Sequence, residues 1–82
     1  MKEIEAIKMR HWIKKLKTYG YTDSSISRYV GNISDRAVRE FANNKRIMLS
    51  DKNHKVLYEW LLTTSRMIIS VEQTQEKIND RI

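Results

Sequence analysis

The segment from Ser34 to Asn44 carries polar side chains at a spacing suited to hydrogen-bonding chemistry. Wound as an α-helix at about 3.6 residues per turn, it separates an apolar side from a polar one. The polar side combines guanidinium, carboxylate and amide groups: Asp35, Arg36, Arg39, Glu40 and Asn43. Arginine favours guanine, asparagine favours adenine, and a carboxylate accepts from cytosine or orients a neighbouring arginine. The pattern predicts a helix that reads base edges in a major groove, although an ordinary solvated helix face has similar residues.

Patterns typical of catalytic and metal sites are missing from this sequence. His11 and His54 are far apart, and neither has a second ligand at metal-site spacing. Both are expected on exposed helix surfaces, where His11 could at most contact a phosphate. There is no cysteine, glycine-rich phosphate loop or G-x-S-x-G motif, and the ten carboxylates are scattered among basic neighbours, as in surface ion pairs. We therefore expect a protein that is not an enzyme and binds no metal, cofactor or small-molecule substrate.

The distribution of charge favours a polyanionic partner. The net charge is +6, divided as +4 in residues 1–20, +3 in residues 21–66 and −1 in residues 67–82. A basic body with a slightly acidic tail fits a polyanion bound by the body, whereas a basic surface kept for solubility is the simpler alternative. No apolar run exceeds three residues, so we expect neither a signal peptide nor a membrane span. The lack of cysteine suits a cytoplasmic location.

Helix boundaries can be placed from the turn and cap residues. Eighty-two residues with no proline and two glycines predict one small, all-α domain. A first helix over residues 2–19 has an apolar stripe of Ile4, Met9, Trp12, Ile13, Leu16 and Tyr19. Thr22 and Ser34 are expected to cap the second and third helices, with a positive φ at Gly31 between them. The third helix should end at residues 43–45, and Ser50 with Asp51 should start the fourth.

The segment from Gly20 to Gly31 resembles the opening of the helix-turn-helix in the phage repressor and Cro-like (xenobiotic-response-element) family. The matching positions there are Tyr21, Thr22, Ile26, Ser27, Tyr29, Val30 and Gly31; beyond the turn they are Ile33, Ser34, Val38 and Phe41. The exit at residues 44–46 and a fourth helix with Ser50, Val56, Leu57, Trp60 and Leu61 extend the likeness over about residues 10 to 62. The departures are Asn32, which resembles a one-residue insertion, Ser27 for alanine, Asn44 for glycine, and no proline in residues 47–49.

This resemblance implies a helix-turn-helix domain of four to five helices with a long C-terminal helix. Residues 1–62 would form the DNA-binding domain, and residues 63–82 a helical dimerisation segment. The implied function is a sequence-specific, double-stranded DNA-binding transcriptional regulator or repressor of phage type, whose helix 34–44 enters the major groove. Phosphate contacts are expected at helix starts and loops, from Thr22, Ser24, Lys45 and Arg46. The core is expected to contain Ile26, Val30, Ile33, Val38, Phe41, Leu57, Trp60 and Leu61, with Trp12, Ile13 and Leu16.

A second apolar pattern runs along the C-terminal part of the chain. Steps of four and three residues join Leu57, Leu61, Thr64, Ile68, Val71, Gln75, Ile78 and Ile82 into a heptad stripe. We expect the part from Thr64 onward to pair two copies, with Ile68, Val71, Gln75, Ile78 and Ile82 at the contact. The alternative is that this segment folds back onto its own domain.

An alternative function is a helical protein-interaction module, such as a phage inhibitor of a host factor or an antitoxin-like partner. In that case the apolar tail would bind in a groove of another protein.

Overall fold

The computed structural model describes the backbone of residues 2–80 and the side chains of residues 3–75. Over this range the chain forms four α-helices and no strand: α1 (Lys2–Thr18), α2 (Asp23–Val30), α3 (Asp35–Ala42) and α4 (Asp51–Asp80). The prediction of an all-α fold with a long C-terminal helix is confirmed. The sequence-based boundary between residues 62 and 63 falls inside α4, which is continuous there. None of the described helices combines the length and the apolar character that crossing a membrane requires.

The local signals that delimit α2 and α3 behave as predicted. Thr22 Oγ1 accepts the backbone N–H of Ser25 at 3.1 Å, and Ser25 Oγ accepts the N–H of Thr22 at 2.8 Å, which makes a reciprocal capping box. Ser34 caps α3 through a single hydrogen bond, in which its Oγ accepts the backbone N–H of Ala37. Gly31 has φ of +92° and Asn44 has φ of +62°. Positive φ at these two positions turns the chain sharply at the C-terminal ends of α2 and α3.

The core lies where α1, α2, α3 and the first half of α4 meet. Its buried apolar members are Ala6, Met9, Ile13, Leu16, Ile26, Ile33, Ala37, Val38, Phe41, Ala42, Leu49, Leu57 and Leu61. Most of the predicted core is therefore confirmed, while Trp12, Val30 and Trp60 are half-buried at its edge. Ile4 and Tyr19 were expected in the α1 stripe but are 59% and 47% exposed. The stripe passes instead through Ala6, which a count of large side chains overlooks.

The first part of the α4 stripe is used within the monomer. Leu57, Leu61 and Thr64 are buried and Ile68 is half-buried against the core. One turn further, Glu72 lies 3.2 Å from Lys15 Nζ. Desolvation, together with a hydrogen bond to Glu72, raises the pKa of Tyr19. The expectation that the stripe becomes free near Thr64 is therefore wrong, because α4 continues to lie along α1 for two further turns.

His54 departs from the expectation of an exposed helix residue. Its side chain is buried, and Nε2 lies 2.7 Å from Oε2 of Glu5, near the start of α1. The imidazole is parallel to the ring of Tyr58, with 6.3 Å between centroids. Its other nitrogen, Nδ1, is buried without a hydrogen-bond partner among the described residues. This contact joins the N-terminal ends of α1 and α4, 49 positions apart in sequence.

Candidate nucleic-acid interface

The orientation of α3 is set by the four side chains that it buries. Ala37, Val38, Phe41 and Ala42 all point into the core, so the opposite side of the helix must face solvent. The residues predicted to read bases follow that division. Asp35, Arg36, Arg39 and Asn43 are exposed, and Glu40 is half-buried. The polar face is therefore present on the surface of the domain, and Asn32 lies in the turn that precedes the helix.

Glu40 is held between two arginines rather than extended toward solvent. Its Oε2 lies 3.3 Å from Arg36 Nε, and its Oε1 lies 3.1 Å from Arg46 Nη2. Both hydrogen bonds lower the pKa of Glu40, and the one from Arg46 has the larger effect. The carboxylate links the polar face of α3 to the loop that follows it. In this arrangement Glu40 orients the guanidinium groups of Arg36 and Arg46. Orienting a neighbouring arginine is one of the two roles expected of a carboxylate on this face, the other being to accept a hydrogen bond from cytosine.

Asp35 connects α3 to α2. Its Oδ1 accepts the backbone N–H of Arg36 at 2.9 Å, and its Oδ2 accepts the hydroxyl of Ser24 at a longer 3.4 Å. A carboxylate in the first turn also interacts favourably with the positive end of the helix dipole. Asp35 therefore has a structural role at the start of α3 in addition to its place on the exposed face.

Arg39 and Asn43 are the polar-face residues whose side chains have no hydrogen-bond or ion-pair partner in the described structure. Neither the Arg39 guanidinium nor the Asn43 amide forms a hydrogen bond or ion pair with any other residue of the described structure. They are four positions apart and therefore neighbours on the helix surface. Together they present hydrogen-bond donors and an acceptor to solvent. These are the groups that direct readout of guanine and adenine uses.

The predicted phosphate contacts fall into two clusters, one near the start of α3 and one just after its end. At the start of α2, Thr22 is exposed, and its capping oxygen acts as an acceptor, so its hydroxyl proton can still be donated. After α3, the backbone N–H groups of Lys45 and Arg46 both donate to the Glu40 carbonyl, at 2.8 and 3.0 Å. Both of these side chains are exposed. The first cluster is joined to α3 by the hydrogen bond from Ser24 to Asp35, and the second by the tight turn after Asn43.

Arg10 on α1 determines where that second cluster lies, although its place in the sequence indicates only a share of the basic charge. Its Nε donates to the Phe41 carbonyl at 2.8 Å, and its Nη2 donates to the carbonyls of Arg46, at 3.2 Å, and of Ile47. The guanidinium also lies over the Phe41 ring, 4.4 Å from its centroid. Arg10 thus anchors the C-terminal end of α3 and its loop to α1. No local pattern reveals this, because the partners are 31 to 37 positions away.

The residues expected to pair two copies lie partly outside the described side chains. Ile68 is half-buried in its own domain, whereas Val71 is 53% exposed and Gln75 is exposed. Ile82 and the side chain of Ile78 lie outside the described part. Within the described residues, no group of three or more histidine or carboxylate side chains is placed to bind a metal ion.

Comparison with known proteins adds no relative, since neither a family model, nor a curated protein, nor a solved structure matches this chain.

Proposed function

We propose that this protein is a sequence-specific, double-stranded DNA-binding transcriptional regulator that inserts α3 into the major groove. The observation that carries the proposal is the exposed polar face of a short helix whose opposite side is locked in the core. Arg39 and Asn43 are unoccupied on that face. Cationic side chains flank it in the loop, as recognition of a phosphate backbone requires.

The proposed regulator acts as a homodimer. Val71 and Met67 are 53% and 64% exposed on the second half of α4. Burying such apolar side chains against a second copy removes them from water. Two copies would present two α3 helices to successive major grooves, about one helical turn of DNA apart.

Selection from a random duplex library, followed by titration of single-base variants of the selected duplex, tests the proposal. Arg39→Ala should relax preference at one base position, at a cost of about 1–3 kcal/mol. Lys45→Ala should weaken all duplexes about equally and reduce the salt slope by about one unit. Arg66→Ala is the matched control, because it removes the same charge from the exposed side of α4, whose backbone makes no close approach to α3 within the described structure.

These outcomes distinguish recognition of specific bases from non-specific electrostatic attraction to the DNA backbone. An even loss across all duplexes for Arg39→Ala would mean that α3 contacts only the backbone. A wild-type protein that binds no duplex at about 50 mM salt, where phosphate neutralisation is strongest, would refute DNA binding itself.

A further inference from the structure

An open surface depression lies between α1 and Asn44, just after the end of α3. It has a volume of about 290 Å³ and is lined by Ile7, Arg10, His11, Lys14 and Asn44. His11 and Lys14 are both exposed and lie one turn apart, on the same side of α1. Neither forms a hydrogen bond or ion pair with another described residue.

The lining has the chemistry of an anion site. Arg10 contributes a guanidinium whose position is set by its bonds to the backbone of the α3 loop. Lys14 adds a mobile ammonium group, and His11 can donate a ring N–H in either tautomer. No carboxylate is among the lining residues. The depression therefore combines one fixed and one adjustable cation with two further donors, the second being the Asn44 side chain.

The position of the depression indicates which anion it would meet. The phosphate backbones of the two strands border a major groove, so a helix within it has one backbone on each side. The hydroxyl of Ser24, bonded to Asp35, places the start of α2 beside the start of α3. Asn44 lines the depression and so places α1 beside the end of α3. The start and the end of α3 therefore lie beside different helices, α2 and α1 respectively.

We propose that this depression binds a phosphodiester of the DNA strand nearest the end of α3, with Lys14 and His11 as its direct contacts. The inference rests on the proposed function and adds α1 to the DNA-binding surface. Arg10 supplies positive potential and holds the loop. Ile7, which is 65% exposed at the rim, packs against the adjoining deoxyribose.

The test uses the full chain and the duplex selected in the library experiment. Lys14→Gln and His11→Gln are compared with Arg66→Gln, by fluorescence anisotropy across a salt series. Lys14→Gln should weaken binding to every duplex by about three- to tenfold and lower the salt slope by about one unit. Lys14→Arg should restore both. Unchanged thermal midpoints will show that each exposed substitution leaves the fold intact.

A second measurement locates the phosphate. Neutral methylphosphonate groups replace single phosphates along each strand in turn, and each duplex is titrated with wild type and Lys14→Gln. At the contacted position the two changes should be non-additive, since each removes the same interaction. Additivity at every position, or a Lys14→Gln salt slope equal to that of Arg66→Gln, would overturn the inference while leaving base reading by Arg39 intact. Failure of the wild type to select any duplex would instead refute the proposed function.

Discussion

Removing the Arg10 guanidinium should destabilise the domain more than any other single change of a partly exposed charged residue. The hydrogen bond to the half-buried Phe41 carbonyl is a charge-assisted bond, worth about 1.5–3 kcal/mol. The two bonds to loop carbonyls are exposed, so water can replace them and they add little. The cation–π contact with the Phe41 ring adds about 1 kcal/mol. Arg10→Ala should therefore lower the free energy of unfolding by about 3 kcal/mol.

Urea denaturation, followed by tryptophan fluorescence, measures this loss. With a slope of about 1–3 kcal/mol per molar urea, the midpoint should fall by about 1–3 M. Arg10→Lys keeps the charge but not the planar fork that reaches three carbonyls, so it should recover less than half of the loss. Arg39→Ala is the control, because that exposed guanidinium has no partner in the described structure, and it should change stability by less than about 0.5 kcal/mol. If Arg10→Lys is as stable as wild type, the positive charge alone accounts for the role of Arg10. The proposed contribution of its three hydrogen bonds to backbone carbonyls is then refuted.

Three other stability predictions follow from the packing of α4 and from the ion pairs of α3. His54→Ala should lower the free energy of unfolding by about 2 kcal/mol, since it removes the packing of a buried ring and a partly buried hydrogen bond to Glu5. The exposed His11→Ala should change stability little, and equal urea midpoints for the two variants would contradict this prediction. Ile68→Ala should destabilise the monomer by about 1 kcal/mol. Val71→Ala should leave the stability of the monomer unchanged but weaken self-association, measured by sedimentation equilibrium. A wild-type protein that remains monomeric at high micromolar concentration would exclude the homodimer. Two arginines lower the pKa of Glu40, so its ionised form stabilises the fold above the ordinary value of 4.5, and this contribution is lost as the pH falls through the lowered pKa. Wild type should therefore lose stability relative to Glu40→Gln over that acidic range in urea titrations, and parallel pH profiles would show that the pairs contribute nothing.

Helix boundaries and the two sides of α3 follow from the sequence because they depend on interactions between near neighbours. Thr22 and Ser34 cap helices through groups three residues away. Gly31 and Asn44 adopt positive φ values that most other residues disfavour. A period of 3.6 residues likewise separates Val38 and its inward neighbours from the polar face whatever the helix packs against.

Only the tertiary structure decided which polar side chains have hydrogen-bond partners within the domain and which are left to face solvent. Arg10 finds its carbonyl partners on another helix and its loop, and His54 finds Glu5 across 49 positions. Both depend on how the helices pack, a property that periodicity does not encode. The same holds for α4, where the stripe can be buried in its own domain or against a second copy. Its burial as far as Ile68 depends on the other helices of the domain that lie alongside it, because a helix buries its apolar face only where another element packs against it.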